Sequence, residues 1–163
     1  MIIDSSQYLE ENINFVIIGD GPQKKELLQY FEDTFERKNV FFMEKVSFSS
    51  LIKYTTSADL GILLIESFNL SKKLTLPNKV FEYMNAGIPF ITNQLPEASK
   101  IAKDEDCGYV INDSTPEKIG KQINQIVKNI DFEKGKKGRR AIEEKYYWEL
   151  DFRKIEKKLT NLL

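Results

Sequence analysis

The run LPNKVFEYMNAGIPFIT, Leu76 to Thr92, contains a whole helix-to-strand transition. Pro77 stands at the start and Gly87 just past the end of about two and a half helical turns, the positions where a fixed φ and a missing Cβ are best tolerated. Ile88 to Thr92 then reads as a strand. Upstream, the β-branched run Phe15 to Ile18 is ended by Gly19-Asp20-Gly21-Pro22, which predicts a strand, a turn and a helix with Pro22 at its first position. Leu27, Leu28, Phe31 and Phe35 recur at helical spacing between Gln23 and Lys38. Val40 to Met43 reads as a second strand, Ser47 to Ala58 as a short helix and Leu60 to Ile65 as a third strand, with a polar loop from Glu66 to Leu76. Downstream, Pro96 to Lys103 reads as a helix, Gly108 to Ile111 as a strand, and Pro116 to Asn129 as a long helix with Ile119, Ile123, Ile126 and Val127 on one face.

Short strands alternating with helices define an α/β fold, a Rossmann-like parallel sheet with helices on both faces. Ligands of such sheets bind at the carboxyl ends of the strands, here the loops after Ile18, Met43 and Ile65. Beyond Ile130 the pattern is helical only, with an apolar seam of Trp148, Phe152, Ile155, Leu159 and Leu162. The organisation expected is one domain over residues 1–163, an α/β core at 1–130 and C-terminal helices at 131–163.

At 163 residues, 41% apolar and 30% charged, the chain has room for one well-cored domain. With 24 Lys and Arg against 25 Asp and Glu, its net charge of -1 gives no general attraction to nucleic acid, and none is expected as a partner. The longest aliphatic stretches, Val16 to Ile18 and Ile62 to Ile65, fall far short of the ~18–20 residues of a membrane span, and no signal-peptide pattern opens the chain. A cytoplasmic location is the expectation. There is no histidine and one cysteine, Cys107, so no internal disulfide can form. That composition disfavours zinc hydrolases, Ser-His-Asp triads and Cys-His proteases, and no metal site is expected.

Charge is placed against the helix dipole at two points. Lys79 falls in the first turn of the Pro77 helix, and Lys24 and Lys25 in the first turn of the Pro22 helix. Cations there are unfavourable by ~0.3–1 kcal/mol each. They make sense where a phosphate sits on the free N–H groups of a helix start, and two such ends suggest a nucleotide diphosphate. The plainer alternative has Lys79 paired with Glu82 at i,i+3 and Lys24 and Lys25 solvated, which for those two is the simpler reading. Glu82, one turn after Lys79, is placed for its oxygens to accept from the vicinal hydroxyls of a ribose; an exposed helical glutamate is the alternative. Gly19 and Gly21 fit any tight turn.

FVIIGDGP at Phe15 to Pro22, Ala58-Asp59-Leu60, the Leu76 to Thr92 run, Pro96-Glu97 and Gly108 to Ile111 together resemble the C-terminal, donor-binding domain of GT-B glycosyltransferases of the group 1 (family 4) kind. The resemblance covers roughly Ile13 to Trp148. It implies metal-independent transfer of a sugar from a UDP- or GDP-sugar to a glycan or lipid-linked acceptor, with no cofactor besides the donor. It also implies that Glu82 binds the donor ribose, that Asn78 and Lys79 and the Gly19–Gly21 turn lie near the diphosphate, and that backbone around Val46 lies near the base. It assigns no catalytic residue.

Three departures accompany it. Many relatives carry a second glutamate at the position matching 82 − 8 = 74, which here is Leu74, and Glu44 stands where a glycine is frequent in the base-binding turn. The domain's usual first strand is expected before residue 1 and the acceptor domain elsewhere, so this chain alone is expected to be inactive. A non-catalytic donor-domain subunit, needing a separately encoded acceptor-domain partner, is the alternative. A nicotinamide-binding module is disfavoured because the glycine turn lacks G-x-G-x-x-G spacing. The family's C-terminal helices cross back to the N-terminal domain, which would account for the Trp148 seam; packing on its own sheet would do so equally. Lys134 to Arg140, with five basic residues and no acid, either meets anionic lipid at the cytoplasmic membrane face or is simply solvated.

Overall fold

The computed structural model describes residues 1–36, 38–65 and 70–160, without the side chains of residues 72, 73, 151 and 154. Two compact units divide the chain: Met1–Tyr54 with Ile111–Ile130, and Thr55–Val110 with the chain from Asp131 onward.

The first unit contains α1 (Ile2–Ser5), a 3-10 turn (Ser6–Tyr8), β1 (Phe15–Ile18), α2 (Lys24–Thr34), β2 (Val40–Met43), the greater part of α3 (Phe48–Thr56), and α7 (Pro116–Lys128). β1 and β2 are parallel and in register from Phe15↔Val40 to Ile18↔Met43. Phe15 and Val40 are buried, while their neighbours Val16 and Phe41, on the opposite face, are exposed. α2 is shorter than the apolar periodicity predicts, at both ends. Lys24 N–H donates to the Gly21 carbonyl at 3.1 Å and Gln23 has φ −93° and ψ −1°. This is a type I turn with Pro22 in the second position, so Pro22 precedes the helix instead of opening it. At the other end Phe35 turns extended, and its buried ring comes back to 5.5 Å from that of Phe31. The first twelve residues, unread by periodicity, dock α1 and the 3-10 turn on α7. A Cβ at Gly120 would lie 2.8 Å from the Ser5 carbonyl, and Asn124 bonds both Tyr8 O and Glu10 N–H.

The second unit contains β3 (Gly61–Leu63), α4 (Leu70–Lys73), α5 (Asn78–Ala86), β4 (Phe90–Thr92), α6 (Pro96–Asp104), β5 (Gly108–Val110), α8 (Glu133–Lys145) and α9 (Trp148–Thr160). Its sheet is parallel, in the order β3-β4-β5. β4 starts later than the apolar run because Pro89 has no N–H for a ladder; its carbonyl instead accepts from Gly61 N–H at 2.9 Å. Val80, Met84, Phe90, Leu95, Ala98 and Cys107 form a fully buried core under this sheet. Burial pushes the Cys107 thiol up to about 12. α5 ends where the sequence predicts, at Gly87 in the left-handed conformation (φ 73°).

Tyr83 fixes α5 on β3. Its ring lies over Gly61, where a Cβ would come within 2.5 Å of it, and its hydroxyl donates to Ile62 O at 3.1 Å. α8 packs on α5 through the small, buried residues Gly135, Gly138 and Ala141. The polar side of α8 is held by the turn after α6. There Asp106 takes the left-handed conformation (φ 47°) and accepts from Lys134 and, at 2.6 Å, from Lys137. Glu105 accepts from Lys145 at 2.7 Å and from the Tyr146 hydroxyl at 3.0 Å. Lys136 pairs with Glu133 and Arg139 with Glu143, so the basic run from Lys134 to Arg140 is for the most part neutralised within the chain.

The bonds from Lys134 and Lys137 hold the Asp106 carboxyl down at about 2. A carboxylate lowered on folding contributes stability above its ordinary range that is lost as pH falls through its folded value. α8 should therefore lose protection between about pH 4 and pH 2, and Asp106→Asn should remove that part of the pH dependence; amide exchange along α8 measures it. At neutral pH the same variant should show slightly weaker protection, because the aspartate is half exposed and its pairs are screened.

The described residues of the α9 seam lie open to solvent. Trp148 is 68% exposed, and Phe152, Ile155 and Leu159 are exposed with it. Leu162 lies outside the described residues.

Candidate functional site

Gly19, Gly21 and Val46 belong to the first unit; Asn78, Lys79 and Glu82 belong to the second. In the first unit, Gly19 leaves β1 with φ 154° and its N–H donates to Met43 O at 3.3 Å, carrying the β1–β2 ladder one step beyond the strands. Few side-chain-bearing residues adopt that backbone. A Cβ at Gly19 or Gly21 would meet nothing within 4 Å, so open space lies over the turn. Asp20 closes the turn by accepting from Gly21 N–H at 2.8 Å. Lys24, expected to be solvated, is not: its ammonium lies 2.7 Å from Glu44 Oε1 and 3.4 Å from Met43 O, and its side chain is only 19% exposed. The unfavourable cation of the first turn is thus balanced by Glu44. Val46 is half-buried and leads into Ser47, whose hydroxyl accepts from Ser50 N–H at 3.2 Å and so caps α3.

In the second unit, α5 starts without a side-chain cap. Pro77 occupies its N-cap with φ −68° and ψ 139°. Asn78 is exposed at the first position, and Lys79 and Glu82 form an ion pair of 2.5 Å across one turn, with side chains 46% and 33% exposed. The plainer reading of Lys79 is therefore the one seen, but it leaves the other open: a half-exposed pair is worth only ~0–1 kcal/mol, little against what a bound dianion offers a cation at a helix start. Leu74 is exposed, with no carboxylate at that position.

Sequence reasoning missed Asn93. It follows β4 directly, and its side-chain amide takes both polar groups of one residue: Nδ2 donates to Ile65 O at 2.7 Å, and Oδ1 accepts from Ile65 N–H at 3.2 Å. The backbone carbonyl of Asn93 accepts from Leu95 N–H, Thr92 Oγ1 and Ser99 Oγ. The available signal was an asparagine placed between a strand and a Pro-started helix, where its amide can serve a turn.

The chain matches the family described as glycosyl transferases group 1 over residues 2–146, and it belongs to that family. It is 23% identical over 164 aligned residues to an uncharacterised glycosyltransferase of Methanocaldococcus jannaschii, an alignment covering 98% of this chain and 40% of that protein. Two GT-B glycosyltransferase structures share its fold. Anabaena HepE, solved in complex with UDP-glucose, matches with a TM-score of 0.75 at 15% identity, over 98% of this chain and 44% of that one. WaaG, a glycosyltransferase involved in lipopolysaccharide biosynthesis, matches with a TM-score of 0.63 at 22% identity, over 88% of this chain and 38% of that one. The chain thus spans less than half the length of each of these relatives. Among the described residues no helix is long and apolar enough to cross a membrane.

Proposed function

We propose that this chain is the nucleotide-sugar-binding part of a group 1 glycosyltransferase, taking a UDP- or GDP-sugar as donor and using no metal. The observation that carries the reading is the start of α5, an uncapped helix end that bears Lys79 and Glu82 side by side and is anchored on β3 by Tyr83. Lys79 and the free N–H groups of the first turn would take the charge that develops on the departing nucleotide diphosphate, the part a divalent cation plays elsewhere. Asn78 would contribute a donor at the same end, and Glu82 would accept from the ribose hydroxyls. The Gly19–Gly21 turn is assigned to the diphosphate and the backbone at Val46 to the base, as the family resemblance implies. The acceptor, and any group that activates it, would come from the acceptor half of the enzyme, and a glycan or lipid-linked acceptor is the class proposed.

Glu82→Ala should weaken UDP or GDP binding by ~1–3 kcal/mol through loss of charged hydrogen bonds. Its melting temperature should stay close to that of the parent chain, because only a surface ion pair is removed. Isothermal titration calorimetry with each nucleotide, beside a thermal melt, checks both. An unchanged affinity would remove Glu82 from the site.

The α9 seam favours a second reading, in which this chain supplies the donor half to a separately encoded acceptor-domain partner. A 13-residue helix with Trp148, Phe152, Ile155 and Leu159 exposed along it is the kind of surface that another domain or subunit covers. The two readings share the donor site and differ in whether transfer requires a second chain.

A further inference from the structure

We propose that Asn93 is a positioning residue for donor binding, an inference that rests on the donor-site reading of α5. The last ladder pair between β3 and β4 is Leu63↔Thr92. One residue further along β4 and two along β3, the Asn93 side chain replaces a peptide group and bonds both the N–H and the C=O of Ile65. The β3–β4 connection is thereby prolonged beyond the backbone ladder, two residues past the end of β3. Asn93 is itself held. Its carbonyl accepts from Leu95 N–H at 2.6 Å, and from the hydroxyls of Thr92 and Ser99 at 3.1 Å each.

β3 is gripped from two sides, by Asn93 at its carboxyl end and by α5, whose Tyr83 bonds Ile62 O. The carboxyl ends of parallel strands form the ligand face of α/β sheets, so the clamp holds the chain where a donor would approach. Without it, Ile65 loses the partners of both its backbone groups and the end of β3 opens more often. A site competent only part of the time binds with an affinity reduced by that fraction.

Asn93→Ala, Asn93→Asp and Ser99→Ala are the test variants, each read by calorimetric titration with UDP and GDP well below its melting temperature and by amide exchange at Ile65. Asn93→Ala should raise the nucleotide dissociation constant about tenfold and deprotect the Ile65 amide, on the scale of two lost hydrogen bonds. Asn93→Asp keeps an acceptor for Ile65 N–H but sets an oxygen against Ile65 O, so it should bind as weakly as the alanine. Ser99→Ala removes one of the three bonds to the Asn93 carbonyl and leaves both bonds to Ile65 in place; its losses of affinity and of Ile65 protection should be clearly smaller than those of Asn93→Ala, and equal losses would overturn the assignment to the two Ile65 bonds. A merely structural asparagine would lower the melting temperature of Asn93→Ala and leave its affinity intact, and that result would overturn the proposal alone. Absence of nucleotide binding by the parent chain would overturn the donor-site reading and this proposal together.

Discussion

Gly135→Ala should lower the melting temperature by about 4–8 °C, against the direction that helix propensity predicts. Alanine in the middle of a helix is worth about 1 kcal/mol over glycine, and Gly135 lies within α8. A Cβ at Gly135, however, would lie 2.1 Å from the Gly87 carbonyl oxygen and 2.9 Å from Ile88 Cα. Both are backbone atoms, and the first closes α5, so no rotamer change relieves the overlap. Overpacking of this kind costs about 3 kcal/mol when a helix must move off its neighbour, leaving about 2 kcal/mol of net loss. For a chain of this length that corresponds to about 2–4 °C per kcal/mol. Gly138→Ala is the internal control: its nearest neighbours, Cys107 Cβ at 3.1 Å and Met84 Cγ at 3.2 Å, lie about an ångström further off, so the shift required is only a few tenths of an ångström. Calorimetric melts should rank Gly135→Ala clearly below Gly138→Ala. The opposite order would mean that α8 does not approach α5 as closely as described.

Phe90→Ala should be the more damaging of the two core changes, costing about 3–5 kcal/mol against about 2 kcal/mol for Gly135→Ala. Phe90 has no exposed surface and lies on β4, between β3 and β5. Its ring stacks on Tyr83 at 6.4 Å and lies 3.2 Å from where a Cβ of Gly108 would be. Removing it leaves a cavity that the sheet cannot close, because the neighbouring backbone is fixed by ladders on both sides. Urea denaturation should show a lower midpoint with the slope unchanged, and Phe90→Leu, which fills part of the space, should recover part of the loss. A variant as stable as the parent chain would contradict the placement of β4 at the centre of its sheet.

The order of strands and longer helices from Phe15 on was legible because these elements advertise their period or their ends; α1 and α4, four residues each, are too short to show a period, and α4 lies within the stretch expected as a polar loop. Pro77 and Gly87 bracket α5 almost to the residue, Pro96 and Pro116 open α6 and α7, and the short apolar runs Phe15–Ile18 and Val40–Met43 give β1 and β2 with their observed bounds. What periodicity could not give were features set by partners far along the chain. Phe35 leaves α2 early because burying its ring against Phe31 outweighs one more helical turn. Lys24 reads as a solvated surface charge until Glu44, twenty residues on, is seen to accept its proton donors. The basic run of α8 reads as a patch until Asp106 and Glu105 are placed against it. Asn93 carries no periodic signal at all, and its role depends on Ile65, twenty-eight residues earlier. On the candidate site, the sequence suggested Lys79 and Glu82 from charge and spacing, and the structure sets these two side by side on one helical turn.

The most direct test of the donor-binding account is a thermal-shift titration of the purified chain with UDP, GDP, ADP and NADH, run in parallel on Glu82→Ala. A ligand that binds only the folded state raises its stability by RT ln(1 + [L]/Kd). The account predicts a concentration-dependent rise with UDP or GDP, little with ADP or NADH, and a rise that is largely lost in Glu82→Ala at an unchanged ligand-free melting temperature. No rise with either UDP or GDP, or an equal rise in the variant, would contradict it.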